Sequence, residues 1–238
     1  MRVFFNRSLF YSFVLLLMLT ASGASAKYRD PLEKALPDLE VIPGARWFWA
    51  APRMAYNNVP MSIKLFTFVG STDQVERFYN SLWKSKGHGK TNSRRAGDLT
   101  ILSLDLDGYL YTVQFSQKGK VVDGKIVVSL GSLNANRSTK TRFSLPPRTK
   151  VISKIEALDN GRRSETLELD SRLQVPQIVD FYLSSLERDG WSFYSNSGDG
   201  RSNAVLSFKR QGELLQLTIN GLQGRNSKFS QVLIHWLK

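Results

Sequence analysis

The 238-residue sequence contains no cysteine and only two histidines, His88 and His235. Without cysteine the chain forms no disulfide and offers no thiol nucleophile or thiolate metal ligand. Two histidines are too few for a multi-histidine metal site. The sequence also lacks Gly-x-Ser-x-Gly, His-Glu-x-x-His, P-loop and dinucleotide-binding motifs. We therefore expect no catalytic residues, no metal and no cofactor, and we interpret the protein as a non-enzyme.

Acidic residues are scarce, with 20 Asp and Glu against 33 Lys and Arg, so the net charge is +13 and the pI is near 10. The content of 42% hydrophobic and 22% charged residues is typical of a globular chain. In a cytosolic protein, this excess of positive charge would first indicate nucleic-acid binding.

The N-terminal segment has the pattern of a secretory signal peptide. Two arginines precede the apolar run Leu9–Leu19, and small residues follow, ending in Ala24-Ser25-Ala26. This order predicts cleavage near Ala26, before Lys27. The alternative is a transmembrane anchor, but a run of about a dozen apolar residues is shorter than the roughly 20 that span a bilayer. We expect a periplasmic or secreted protein with no transmembrane anchor after cleavage.

Secretion changes the meaning of the positive charge. Removal of two signal-peptide arginines leaves a net charge of +11, and nucleic acid is no longer the expected partner. The polyanions of a bacterial envelope are lipid, lipopolysaccharide and cell-wall groups. We expect the partner to be one of these polyanions or an acidic envelope protein.

The remaining chain reads as an internal duplication. The segments 75–87 and 178–190 both contain Phe-Tyr and end in Gly, at an offset of 103 residues. Strand-like segments on both sides match in the same order, at offsets that drift by only three residues. Each copy is predicted to contain strand, strand, helix and three strands, so that one helix packs on a small antiparallel sheet. The predicted fold class is α+β, with two tandem β-β-α-β-β-β units.

The predicted domain boundaries follow from this duplication and from composition. A polar, basic stretch without apolar periodicity separates the copies, and a proline-containing arm precedes the first. The segments are the signal peptide (1–26), the arm (27–42), repeat 1 (43–132), the linker (133–145) and repeat 2 (146–238).

Local patterns within each copy support the predicted elements. Apolar residues of the first helix recur at i, i+3, i+4 and i+7, which gives one buried face. Asn160-Gly161 predicts a two-residue hairpin, because a type I′ turn requires positive φ at both central positions. Pro176 suits the first turn of the second helix.

Several motifs of the two copies resemble those of a group of bacterial envelope domains. Pro43-Gly44-Ala45 opens copy one, and Phe181-Tyr182 with Gly190-Trp191 forms the second helix and its end. Phe208-Lys209 and Gly212 then mark a hairpin. Copy one departs from this pattern with His88 in place of Trp191. The resemblance implies the fold and an envelope location, and it implies no catalytic residues.

Three acidic residues are candidate functional groups. Asp105 and Asp107 are two apart on a predicted strand face, a spacing that would suit an acid–base pair or a cation site. Their counterparts in copy two are Lys209 and Gln211, which favours a solvated strand face. Asp199, between two glycines, is interpreted as a turn residue.

A basic run in copy one is the first candidate site. Between Lys84 and Arg95 the sequence contains five basic residues and no acid, whereas the matching stretch of copy two mixes both signs. Copy one carries a net charge of +6 and copy two of +3. The alternative interpretation is a solvated loop. The residues predicted to bind an anionic partner are Lys84, Lys86, Lys90, Arg94 and Arg95.

An aromatic stretch is the second candidate site. Trp47 and Trp49 alternate around Phe48, so both indoles are expected on one face of a strand. The positions that match them in copy two, Val151 and Ser153, are much smaller. The pair is a candidate stacking platform for sugar rings, a small-ligand site in a cleft between the copies, or a membrane-facing aromatic edge. The alternative is core packing on the two faces of the strand, or an interface between the copies.

Three functions remain open from the sequence. The first is a non-enzymatic binding or assembly module of the cell envelope, which uses the basic loop of repeat 1 on an acidic partner. The second is a carbohydrate or small-ligand binder that uses Trp47 and Trp49. The third is an enzyme of unrecognised type.

Overall fold

Twelve β-strands and two α-helices account for most of the computed structural model, which describes residues 30–87, 89–131, 140–222 and 229–238. All of these elements belong to one unit, Pro31–Lys238. The first half contains β1 (Arg46–Tyr56), β2 (Val59–Val69), α1 (Thr72–Ser85), β3 (Lys90–Ala96), β4 (Leu99–Leu106), β5 (Tyr109–Lys118) and β6 (Val121–Leu130). The second half contains β7 (Thr149–Asp159), β8 (Arg162–Ser171), α2 (Val175–Arg188), β9 (Ser192–Ser197), β10 (Asn203–Arg210), β11 (Glu213–Leu222) and β12 (Phe229–Leu237).

Tight turns connect the paired strands of each half. Asn160 and Gly161 both have positive φ, 49° and 79°, which confirms the turn predicted between β7 and β8. Asn57 and Asn58 form the equivalent turn in the first half, with φ of 48° and 63°. Asparagine tolerates this left-handed region better than most residues. The turns of the two hairpins therefore have the same backbone geometry.

Capping residues mark the ends of both helices. Ser71 caps α1, and its side chain and that of Gln74 satisfy each other's backbone N–H groups. Pro176 lies in the first turn of α2, as predicted. Gly87 and Gly190 follow the two helices with positive φ, a conformation that glycine adopts without steric cost.

The strands join into one antiparallel sheet of twelve, and the predicted α+β class is wrong. The order is β3-β4-β5-β6-β2-β1-β7-β8-β12-β11-β10-β9. Of the described residues, 57% are in strands and 16% are helical. The molecule is therefore mostly sheet, and each helix packs on part of a continuous sheet and not on a small sheet of its own.

Two physical features explain this error. The prediction of three strands after each helix leaves out β3 and β9, because every residue of both strands is exposed and neither shows apolar alternation. The two halves then merge through β1 and β7, whose pairing uses backbone hydrogen bonds. Backbone pairing between distant strands leaves no periodic signal in the sequence.

The strand order is palindromic about the pairing of β1 with β7. Met54 is the Cα partner of Ala157, and these two residues occupy equivalent positions, three residues before Asn57 and Asn160. Arg53 pairs with Leu158, and Ala55 pairs with Glu156. An approximate twofold axis therefore passes through the Met54–Ala157 pair.

The two halves have separate hydrophobic cores on the helix-bearing face of the sheet. α1 packs on β4 and β5, whereas α2 packs on β9, β10 and β11. The segment before each half completes its core: Leu39 is buried in the first and Phe143 in the second. Residues 31–42 therefore pack as part of the first half.

A buried group of charges lies beside the twofold axis. Glu156 and Glu165 are directly opposite each other on β7 and β8, and both are buried. The Glu156 carboxylate is 3.1 Å from the Lys154 ammonium and 3.2 Å from the Arg163 guanidinium. The Arg142 guanidinium donates to Glu165 at 3.1 Å. Each carboxylate thus has a cation partner, as burial of charge requires.

Candidate functional site

The predicted basic loop spans two different elements. Lys84 belongs to the last turn of α1, and Lys86 is the C-cap residue that follows the helix. Lys90, Arg94 and Arg95 lie on β3. His88, between these two groups, lies outside the described residues. The basic run is therefore a helix end followed by a strand, and its residues point in several directions.

Two of the five basic side chains have acidic partners. The Lys86 ammonium donates to Glu40 at 2.5 Å, and the Arg95 guanidinium donates to Glu76 at 3.4 Å. Both pairs are on the helix-bearing side of the first half. Among the residues that the structure describes, Lys84, Lys90 and Arg94 have no ion pair within 4.0 Å.

β3 is the outermost strand of the first half. It pairs on one side with β4, from Lys90 opposite Asp105 to Ala96 opposite Leu99, and no described strand pairs with its other side. Lys90 and Arg94 are four residues apart and share the face that points away from α1. The free side carries backbone N–H and C=O groups that are available to another strand.

The tryptophans of β1 share one face, as their alternation predicted. Trp47 and Trp49 are opposite Phe66 and Lys64 of β2, whereas Phe48 is opposite Leu65. The two indoles pack edge to face, with ring centroids 6.3 Å apart. They are 49% and 40% exposed, so core packing does not account for them.

A buried lysine lies beneath both indoles. The Lys64 ammonium is 4.3 Å from the ring centroid of Trp47 and 4.6 Å from that of Trp49, and the residue is only 4% exposed. It donates to the Leu39 carbonyl at 2.8 Å and to Asp38 at 3.1 Å. The hydrogen bond from Lys64 is the main reason that the pKa of Asp38 is lowered.

Lys64 is not among the residues predicted from the sequence, although the sequence contains a signal for it. Ser62, Lys64 and Phe66 alternate on the buried face of β2, and Leu167 is the residue at the matching position in β8. A lysine at an inward-facing strand position, where the other copy has leucine, marks a specialisation of one half.

A groove extends from Trp49 along the arm. Its volume is about 300 Å³, and its walls come from residues 31–38, β1 and the start of β2. All of its lining residues belong to the first half or to the arm, so the groove is not a cleft between the two halves. Its apolar lining residues include Leu36, Trp49, Met54 and Met61.

The basic strand and the tryptophans are separate surfaces. β1 is five strands away from β3 in the sheet order. At about 4.8 Å per strand, the two strands are roughly 24 Å apart. One small ligand cannot contact both, so each surface is considered independently.

One of the three acidic candidates lies on a strand, and the other two lie in turns. Asp105 is exposed on β4 opposite Lys90. Asp107 is not on the strand face with it, because it lies in the β4–β5 turn with φ of 53°. Asp199 accepts hydrogen bonds from the N–H groups of Arg201, Ser202 and Asn203 at 2.7–2.9 Å. In the described part of the chain, no cluster of three potential metal ligands is found.

Asp199 gives a pH-dependent prediction. The three backbone N–H groups stabilise its carboxylate and lower its pKa from 3.8 to about 2. Because the folded-state pKa is below the unfolded one, the stabilisation is present above about pH 4 and is lost as the pH falls towards 2. We expect Asp199→Ala to lower the urea midpoint at pH 6, and the difference from the parent protein to shrink between pH 4 and pH 2.

The control for this prediction is Asp98→Ala. Asp98 is an exposed aspartate in the equivalent β3–β4 connection and accepts no such hydrogen bonds in the described structure. Its replacement is expected to change the midpoint little at either pH. A pH-independent effect of Asp199→Ala would contradict the carboxylate role.

Comparisons with known proteins add no assignment. No protein-family model matches the chain, and no curated protein or solved structure matches it. In the described residues, no helix is long and apolar enough to cross a membrane.

Proposed function

We propose that the protein is a non-enzymatic binding module of the bacterial cell envelope, which binds an acidic, extended segment of a partner protein along β3. The envelope location is the one expected from residues 1–26. The observation that carries the proposal is the composition of β3: an outermost strand of seven exposed residues with three positive charges and no acid.

Strand geometry favours a protein segment over a polyanion. The free side of β3 offers a row of backbone donors and acceptors, and a peptide that adds as a strand satisfies them. Lys90 and Arg94 are on one face of β3, so acidic side chains at every second position of the added strand would lie on the same side. Lipid and cell-wall phosphates offer the charge without this hydrogen-bond pattern.

The alternative reading of a charged edge strand is protection against aggregation. The charge of the opposite edge strand, β9, tests this alternative. β9 occupies the equivalent position in the second half, and its six residues, Ser192–Ser197, carry no charge. A fold that depended on charged edges for solubility would require them at both ends of the sheet. The asymmetry supports a specific use of β3.

The first test measures peptide binding. A fluorescent peptide of alternating glutamate and valine is titrated with the protein at low and at high salt. Lys90→Gln/Arg94→Gln is expected to weaken binding about fivefold to tenfold, which corresponds to two exposed ion pairs. Binding is also expected to weaken with salt, because the pairs are exposed to solvent.

Two controls separate strand addition from general charge attraction. Lys150→Gln/Arg162→Gln removes the same charge from exposed positions of the second half and is expected to leave the affinity unchanged. A peptide N-methylated at alternate residues keeps its charges but cannot pair along its edge, and it is expected not to bind. Equal losses in both double variants, or full binding of the N-methylated peptide, would refute the proposal.

A further inference from the structure

The groove beside Trp49 is the strongest unassigned feature of the molecule. Three of the five tryptophans, Trp83, Trp191 and Trp236, are buried in the cores, whereas Trp47 and Trp49 remain exposed. Exposed aromatic side chains beside a concave surface are typical of binding sites. We infer that this groove binds a single-chain anionic amphiphile, an acyl chain that ends in a carboxylate.

The walls of the groove are preformed. Four prolines line it, from the arm and from the hairpin of β1 and β2: Pro31, Pro37, Pro52 and Pro60. Proline fixes φ and so limits the collapse of the groove when it is empty. The arm that forms one wall is held down by the burial of Leu32 and Leu39. A preformed groove lowers the entropy lost on binding.

The polar groups of the groove suit a carboxylate better than a sugar. The Ser62 hydroxyl already donates to the Pro52 carbonyl at 2.8 Å, and Asp38 accepts from Lys64. The Ser62 hydroxyl is therefore engaged as a donor and the charge of Asp38 is offset by Lys64, whereas a sugar requires several hydrogen-bond partners around its ring. The remaining charged residues at the groove are Lys34 and Arg53, both exposed and both positive.

Lys64 offsets the charge of the one acid of the groove, Asp38. Its ammonium lies against the Trp47 and Trp49 rings on the buried side. The negative faces of the two rings attract this cation and help to hold it in place. The groove therefore has a mixed lining of apolar and polar groups, with two exposed cations, Lys34 and Arg53, against a single acid, Asp38, which is paired with Lys64. This charge balance is complementary to an anionic head group.

The volume limits the length of the apolar chain. A volume of about 300 Å³ is at the small end of the range for small-molecule sites. This size suits one short acyl chain better than the two chains of a phospholipid. The inferred ligand is therefore a free, single-chain carboxylic acid and not a bilayer surface.

Decanoate is the probe for this inference. Because the other three tryptophans are buried, changes in intrinsic fluorescence report on Trp47 and Trp49. We expect decanoate, below its micellar concentration, to shift the emission to the blue and to reduce quenching by iodide. Octanoate is expected to bind about tenfold more weakly, because it buries two fewer methylene groups.

Charge variants test the head-group assignment. Lys34→Gln/Arg53→Gln changes only exposed side chains, and isothermal calorimetry is expected to show decanoate binding reduced about fivefold to tenfold. Lys150→Gln/Arg162→Gln, the matched control in the second half, is expected to bind decanoate normally. The Lys90→Gln/Arg94→Gln variant is also expected to bind normally, so this inference and the proposed function of β3 succeed or fail separately.

Four results would overturn the inference. The first is no change in fluorescence with decanoate, and the second is an affinity for decanol equal to that for decanoate. The third is an unchanged affinity for decanoate in the Lys34→Gln/Arg53→Gln variant. The fourth is a fluorescence response to phosphatidylglycerol vesicles or to cell-wall sugars but not to decanoate. Blue-shifted emission with decanoate alone, with weaker binding after removal of the two rim charges, would support it.

Discussion

Replacement of Glu156 by alanine is expected to lower the free energy of unfolding by about 3–5 kcal/mol. Glu156 is 4% exposed and is paired with Lys154 and Arg163. Lys154 is also buried, and without Glu156 its only remaining partner in the described structure is the Lys140 carbonyl. An unpaired buried charge is the costliest outcome of breaking such a pair. Urea denaturation measures the change.

Two further variants show whether the charge pair causes this loss. Asp159→Ala removes an exposed carboxylate from the same strand and is expected to stay within about 0.5 kcal/mol of the parent protein. Lys154→Met/Glu156→Leu removes both buried charges together and is expected to recover most of the stability, because no buried charge is left unpaired. A loss of less than about 1 kcal/mol for Glu156→Ala would show that the buried pair contributes little.

Leu39→Ala is expected to cost about 3 kcal/mol of unfolding free energy. Leu39 is buried in the first core, where it packs with Phe66 and Tyr79, and truncation of a buried leucine leaves a cavity. Because the unit is about 200 residues long, this corresponds to a decrease in Tm of roughly 6–12 °C. Differential scanning calorimetry measures the shift.

The control for Leu39→Ala lies in the same segment. Glu33→Ala changes an exposed residue of the arm and is expected to leave Tm within about 2 °C. A comparable Tm for Leu39→Ala and the parent protein would mean that the arm is peripheral to the first half. A decrease in Tm of the expected size would show that residues 31–42 belong to the folded unit, although composition alone indicates a lead-in segment.

The helices and the inner strands could be predicted because their burial leaves a periodic signal. Val75 and Tyr79 are buried on one face of α1, as their spacing predicted. Leu102 and Leu104 are buried on one face of β4. β3 and β9 could not be predicted in this way, because strands that are exposed on both faces have no apolar alternation. The pairing of β1 with β7 could not be predicted either, because it depends on backbone groups that every residue carries.

The candidate sites were predictable only in part. Alternation alone placed Trp47 and Trp49 on one face. Closeness in sequence predicts that the five basic residues form one loop. In the structure, two of them are at the end of α1 and three are on β3. Lys86 and Arg95 have acidic partners 46 and 19 residues away in sequence, which no local pattern indicates. The groove depends on the arm returning across β1 and β2, a long-range contact with no motif.

The twofold pairing of β1 with β7 gives the chain the architecture of a homodimer whose subunits are joined covalently. In a dimer of separate subunits, the four paired residues from Arg53 to Tyr56 would have to find their partners by diffusion. A tether between the subunits replaces that search by a high effective concentration that does not change with dilution. Each subunit is then free to diverge without losing its partner, which accounts for a charged edge on one side and a neutral edge on the other.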